Sequence, residues 1–179
     1  MIKYRKATAA DSSRILDIYS NILDVEESRP EPVIGWKRDI YPTIEVVNAA
    51  LERDDMYVQI DTELDMIVGS AIINQVQLDC YRDISWNFEP DAPDDEVMVL
   101  HTLTIDPRLP KSGYGEQFAE FYRQVAAENN CKVLRIDTSE TNYPARSLYK
   151  KLGYIETEII ITSFNDIEGY DLVLLEREV

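Results

Sequence analysis

The sequence is poor in thiols, imidazoles and positive charge. It holds two cysteines, Cys80 and Cys131, and a single histidine, His101. Two thiols far apart, with no partner pattern, exclude a disulfide framework and make a reducing compartment the default. No metal site is expected. Cationic side chains number 18 against 34 acidic ones, for a net charge of −16. Such a surface repels a phosphate backbone, which disfavours general nucleic-acid binding. It attracts cationic partners, amines included, although plain solubility explains it equally well. Long apolar runs are also missing: no segment approaches the roughly 18 residues that a membrane span requires. The N-terminus, Met1-Ile2-Lys3-Tyr4-Arg5-Lys6, carries charge where a secretion signal needs an apolar stretch. A soluble, cytoplasmic protein with no membrane partner is therefore expected. Internal repeats, low-complexity tracts and linkers are absent, so the 179 residues read as one domain, 1–179.

What is present is a regular alternation of elements. Ile2 to Lys6 alternates apolar and charged residues, as a half-buried strand does. Thr8 and Asp11 make a capping box, and Ile15, Leu16, Ile18, Tyr19, Ile22 and Leu23 continue as a helix to about Asp24. Val25 to Pro42 carries three prolines and Gly35 and reads as loop, with Trp36 and Tyr41 embedded. A second helix starts at Thr43 and ends near Arg53. Two strands follow, Met56–Ile60 and Met66–Ile73, the second apolar enough to be buried on both faces. Gln77 to Glu96 is a long polar insertion containing Tyr81 and Trp86, a length that suggests a lid or binding loop.

The stretch from Val97 to Tyr154 carries the chemistry. An apolar strand, Val97 to Ile105, breaks at Asp106-Pro107. The loop Arg108-Leu109-Pro110-Lys111-Ser112-Gly113-Tyr114-Gly115 then feeds an amphipathic helix with Phe118, Phe121, Tyr122 and Val125 on one face. A glycine-bearing loop at a helix N-terminus offers free amides and the positive end of the dipole to an anion. Taken alone that motif is weak, and an ordinary strand-to-helix turn explains it as well. A strand from Lys132 to Asp137 leads into Asn142-Tyr143-Pro144-Ala145-Arg146-Ser147-Leu148-Tyr149-Lys150-Lys151-Leu152-Gly153-Tyr154, a helix with proline in its first turn and glycine at its stop. Two more strands, Ile155–Thr162 and Tyr170–Leu175, close the chain.

This stretch resembles the GCN5-related N-acetyltransferases. Their signature Asn-x-x-Ala-x-x-Leu-Tyr-x-x-x-Gly-Phe/Tyr is met by Asn142, Ala145, Leu148, Tyr149, Gly153 and Tyr154. Gly113 and Gly115 match the glycines of their Arg/Gln-x-x-Gly-x-Gly/Ala loop, while Pro110 stands where that family has a basic or amide side chain. The resemblance implies an α+β fold: a central, mostly antiparallel mixed sheet of about seven strands, helices on both faces, and a splay between the fourth and fifth strands.

It also implies a function, the transfer of an acetyl group from acetyl-CoA to a primary amine by direct attack. The amine would belong to a small molecule or a peptide. The alternative is a catalytically silent acyl-CoA-binding or interaction domain of the same fold, and the family's habit of pairing leaves a homodimer open. Residues implied to hold the cofactor are Leu103, Thr104, Ile105, Lys111, Ser112, Gly113, Tyr114, Gly115, Glu116, Asn142, Arg146 and Tyr149. Tyr149 would act as general acid towards the leaving thiolate, and Asn142 as a helix cap. His101 is the candidate base, placed by strand alternation on the same face as Leu103, and Glu96 is the reserve base. Trp36, Tyr41, Tyr81 and Trp86 would line the acceptor pocket, with Asp94 and Asp95 attracting a cation.

Overall fold

The computed structural model describes residues 1–109, 112–164 and 167–179, with backbone alone at Phe164 and Glu168. Among these residues seven strands and four helices follow in the order β1 (Ile2–Lys6), α1 (Ser12–Glu27), α2 (Ile44–Glu52), β2 (Met56–Asp61), β3 (Met66–Asn74), β4 (Val97–Ile105), α3 (Tyr114–Glu128), β5 (Val133–Ser139), α4 (Tyr143–Lys151), β6 (Ile155–Phe164) and β7 (Ile167–Glu178). Thr8 and Asp11 form the expected capping box, which opens a short 3-10 turn before α1. The chain divides into two compact units. Met1–Pro32, Trp36–Ile73 and His101–Phe121 form the first; Val33–Gly35, Asn74–Leu100 and Tyr122–Val179 form the second.

In the first unit the strand order is β1-β2-β3-β4. Side-chain alternation along β2 decides which helix covers which face. Met56 and Val58 pack with Ile15 and Tyr19 of α1 and with Val47 and Ala50 of α2. Tyr57 points the other way, its ring 5.5 Å from that of Phe121 of α3, and Tyr4 of β1 stacks on Phe121 at 4.2 Å. Helices therefore lie on both faces of this half. Gly69 of β3 is required by close approach: a Cβ there would sit 2.6 Å from both the Thr104 carbonyl oxygen and Ile105 Cδ1.

In the second unit the order is β4-β5-β7-β6. Val97–Leu100 of β4 runs parallel to Val133–Ile136 of β5, a pairing that needs a crossover, which α3 supplies. That ladder stops at Leu100 and Ile136, whereas β4 continues to Ile105 and β5 to Ser139. The β5–β7 and β6–β7 ladders are antiparallel.

The long insertion is not a loose lid. Tyr81 and Trp86 are buried in one cluster with Val97, Val99, Val133, Leu172 and Leu174. Two buried charges hold the insertion down. The Arg135 guanidinium lies 4.2 Å over the Trp86 ring and donates to the Glu89 carbonyl and to Gln77. The Glu176 carboxylate accepts from the Asn87 and Phe88 amides at 2.6 and 3.1 Å. Burying such charges is costly unless they are satisfied, so the insertion's polar backbone serves as their solvent.

Candidate active site

In the first unit the candidate elements are the end of β4 and the start of α3. Thr102 interrupts β4 with a φ of +50°. A β-branched residue in the left-handed region costs about 1–2 kcal/mol and persists only where neighbours hold it. Here Tyr41 supplies the hold, its hydroxyl bonded to Thr102 Oγ1, while the Trp36 ring meets Tyr41 edge-on at 5.6 Å. The kink corrects one inference from alternation, because β4 is not extended between His101 and Leu103 and a shared face does not follow. Beyond the kink Thr104 turns its hydroxyl inward to Ser70, at 2.9 Å, so it offers a ligand only its backbone.

Asp106 ends β4 as a buried ion-pair centre. It accepts from Arg14 Nη2 at 2.6 Å and from Arg108 N, Nε and Nη2 at 3.0, 3.1 and 2.9 Å. Both arginines also pair with Asp17, closing a ring of four alternating charges. The first turn of α3 is set by Gln59, a buried strand glutamine whose Nε2 donates to the Tyr114 carbonyl and the Tyr4 hydroxyl, both at 3.1 Å. Gly113 precedes it at φ +72°, and among the described residues Gln117 Nε2 alone comes near its would-be Cβ, at 3.6 Å. The glycine turn thus leads into the first turn of α3, the end of a helix that suits an anionic ligand. The Ser112 carbonyl is occupied by Gln117 Nε2, at 3.1 Å. Pro110 and Lys111 lie outside the described residues.

In the second unit the candidate elements are α4 and the strand before it. Asn142 caps α4: its Oδ1 accepts from the Ala145 amide at 3.3 Å and its Nδ2 donates to Thr138 at 3.0 Å. Arg146, expected at the cofactor, is bidentate to Glu156 at 2.7 and 2.8 Å and also donates to the Glu140 carbonyl. Glu96 pairs with Lys132 at 2.7 Å. Asp94 and Asp95 are exposed, Asp94 accepting from Gln77. Tyr81 and Trp86, at 1% and 5% exposure, stand in the core rather than at a surface where they would meet an acceptor, because Arg135 and the apolar face of β4, β5 and β7 draw them in. In the first unit Tyr41 is buried and Trp36 half-buried.

Tyr149 is buried, and burial first, the charge of Asp137 second, push its phenol well above the usual range. Asp137 itself is the residue the sequence reading passed over as the last position of a strand. Its carboxyl accepts from the Tyr81 hydroxyl at 2.7 Å, and desolvation raises its pKa to about 6 against the lowering effect of that bond. The signal was an acidic residue on a strand whose other charge, Arg135, lies two positions earlier, five residues before the helix cap. A carboxyl that titrates near neutrality beside a phenol that stays protonated is an arrangement suited to moving protons in opposite directions.

Among the described residues no group of three or more His, Cys, Asp or Glu side chains is placed to hold a metal ion, and no helix is long and apolar enough to cross a membrane.

Comparison with curated proteins yields no match. Among solved structures, a GNAT-family acetyltransferase from Listeria monocytogenes superposes with a TM-score of 0.73 at 17% identity, covering 99% of this chain and 95% of that one. A ribosomal-protein-alanine N-acetyltransferase from Brucella melitensis gives 0.68 at 19% identity, with 99% of each chain covered. The yncA protein of Salmonella typhimurium, solved with its cofactor acetyl-CoA, gives 0.68 at 14% identity over 99% of this chain and 94% of that one. At these identities the likeness is one of fold. The sequence model of the acetyltransferase (GNAT) family matches residues 21–154, three quarters of the chain, and this protein therefore belongs to that family.

Proposed function

We propose that the protein is an N-acetyltransferase that moves the acetyl group of acetyl-CoA to a primary amine by direct attack. The family match over residues 21–154, with Asn142 capping α4 and Tyr149 buried within that helix, carries this reading. Backbone groups of Leu103 to Ile105, the Ser112–Gly113 turn and the first amides of α3 would hold acetyl-CoA, which brings the thioester carbonyl. The start of α3 behind the left-handed Gly113 turn fits that demand.

In the reaction Asp137 takes a proton from the incoming ammonium. The neutral amine forms the new C–N bond as the C–S bond breaks, its nitrogen then releases a second proton to solvent, and Tyr149 protonates the departing thiolate and is replenished from solvent. A base with a pKa of about 6 is ionised at neutral pH and still takes up a proton readily. His101 is the alternative base. Glu96 is the weaker one, since Lys132 already occupies its carboxylate.

Thiol release from acetyl-CoA with a panel of amines tests the assignment. Asp137→Asn is expected to lower kcat at least 100-fold and His101→Gln less than tenfold. The reverse order would transfer the role of base to His101. Tight acetyl-CoA binding with no turnover of any amine in the wild type would leave a binding domain without catalysis.

A further inference from the structure

The insertion between β3 and β4 is fastened to the sheet through two buried aromatics, Tyr81 and Trp86. Trp86 donates its indole N–H to the Tyr81 carbonyl at 3.0 Å and meets the Tyr81 ring at 5.3 Å, edge to face. Arg135 lies against the other side of Trp86, and Glu176 gathers the two amides that follow it. Val133, Arg135 and Asp137 alternate along β5 onto the face that the insertion covers. The net product of all these contacts is one rigid phenol, 1% exposed, whose hydroxyl is aimed at Asp137 Oδ2. Among the described residues Oδ1 receives no hydrogen bond within the chain, which leaves it as the oxygen to be protonated.

We propose that Tyr81 is the positioning residue of the base: it fixes the Asp137 carboxyl, commits Oδ2, and sets the pH at which Oδ1 gains its proton. The inference rests on the reading of Asp137 as base. It gives the insertion a role, to carry this hydroxyl, in place of closing over an acceptor. The groups facing Asp137 are few. Tyr81 and Cys80 come from the insertion and Tyr149 from α4, while its partner across β7, Leu174, is apolar. Burial raises the Cys80 thiol, and burial with the charge of Asp137 raises both phenols, so all three stay uncharged through neutrality. Among the described residues the Tyr81 bond is then the one contact that favours the carboxylate, and its loss leaves desolvation unopposed.

The experiment is a carbon-13 titration of aspartate carboxyls in the full chain, the Asp137 signal being the one that Asp137→Asn removes. The Tyr81→Phe variant keeps the ring and the backbone carbonyl that Trp86 uses, and its Asp137 midpoint is expected about one pH unit above the wild-type value. The acid limb of kcat/KM should move the same way. Replacing Tyr81 by 3,5-difluorotyrosine preserves the bond with a stronger donor and is expected to shift the midpoint down, which covers the case in which the phenylalanine variant does not fold. An unmoved midpoint in both overturns the inference. Wild-type acetyl transfer by Asp137→Asn overturns instead the assignment of the base on which it rests.

Discussion

Asp106 carries the most exacting test of how the end of β4 is held. The perturbation is Asp106→Asn, which keeps shape and removes charge. Asp106 is 2% exposed, and burial alone would raise its carboxyl; the bonds from Arg108 and Arg14 more than reverse this and hold it at about 2, against 3.8 for a free aspartate. A depression of about 1.8 units corresponds to about 2.4 kcal/mol of stability at pH 7. Asp17 remains on both arginines in the variant, so the loss should not greatly exceed that figure. Because the folded pKa is the lower one, the contribution is complete above pH ~4 and fades as pH falls towards ~2; the same two values leave about half of it at pH 3. The assay is urea denaturation of both proteins from pH 7 to pH 3. The variant should lie about 2 kcal/mol below the wild type at pH 7, and the gap should halve by pH 3. A gap that stays constant with pH, or that is under ~0.5 kcal/mol at pH 7, refutes the claim that the carboxylate acts through its charge.

Two further outcomes follow from packing. Gly69→Ala places a methyl 2.6 Å from the Thr104 carbonyl, a backbone atom that cannot rotate away, and should cost about 1–3 kcal/mol in urea midpoint; a loss below ~0.5 would show that β3 and β4 can part freely. Glu176→Ala strips the acceptor from the Asn87 and Phe88 amides, the Asn87 side chain and Thr157, and should cost about 3 kcal/mol while opening the insertion to limited proteolysis; an uncut insertion would mean that Arg135 alone retains it.

Much of the architecture was legible from the residues in order. The bounds of β4, Val97 to Ile105, coincide with its apolar run, and α4 starts at the asparagine that caps it and stops at Gly153. Caps, glycine stops and apolar periods act within a few residues, so the order of strands and helices and the motif of Asn142 to Tyr154 are readable locally. The family follows from that motif because a capped helix behind a glycine turn needs particular residues at fixed spacing.

What only the tertiary structure decided depends on partners far apart in the chain. Thr102 leaves the extended region because Tyr41, 61 residues away, holds its hydroxyl, and no nearby residue announces it. Asp106 finds Arg14 at a separation of 92. Tyr81 and Trp86 read as aromatics in a polar loop, and they are core because Arg135 and Glu176 recruit the loop to the sheet. Asp137 follows the same rule. The chain order shows an acidic residue ending a strand; burial, and a phenol 56 residues upstream, turn it into a carboxyl poised near neutrality. A pKa is set by the desolvation and the charges around a group, and those are brought together by folding alone.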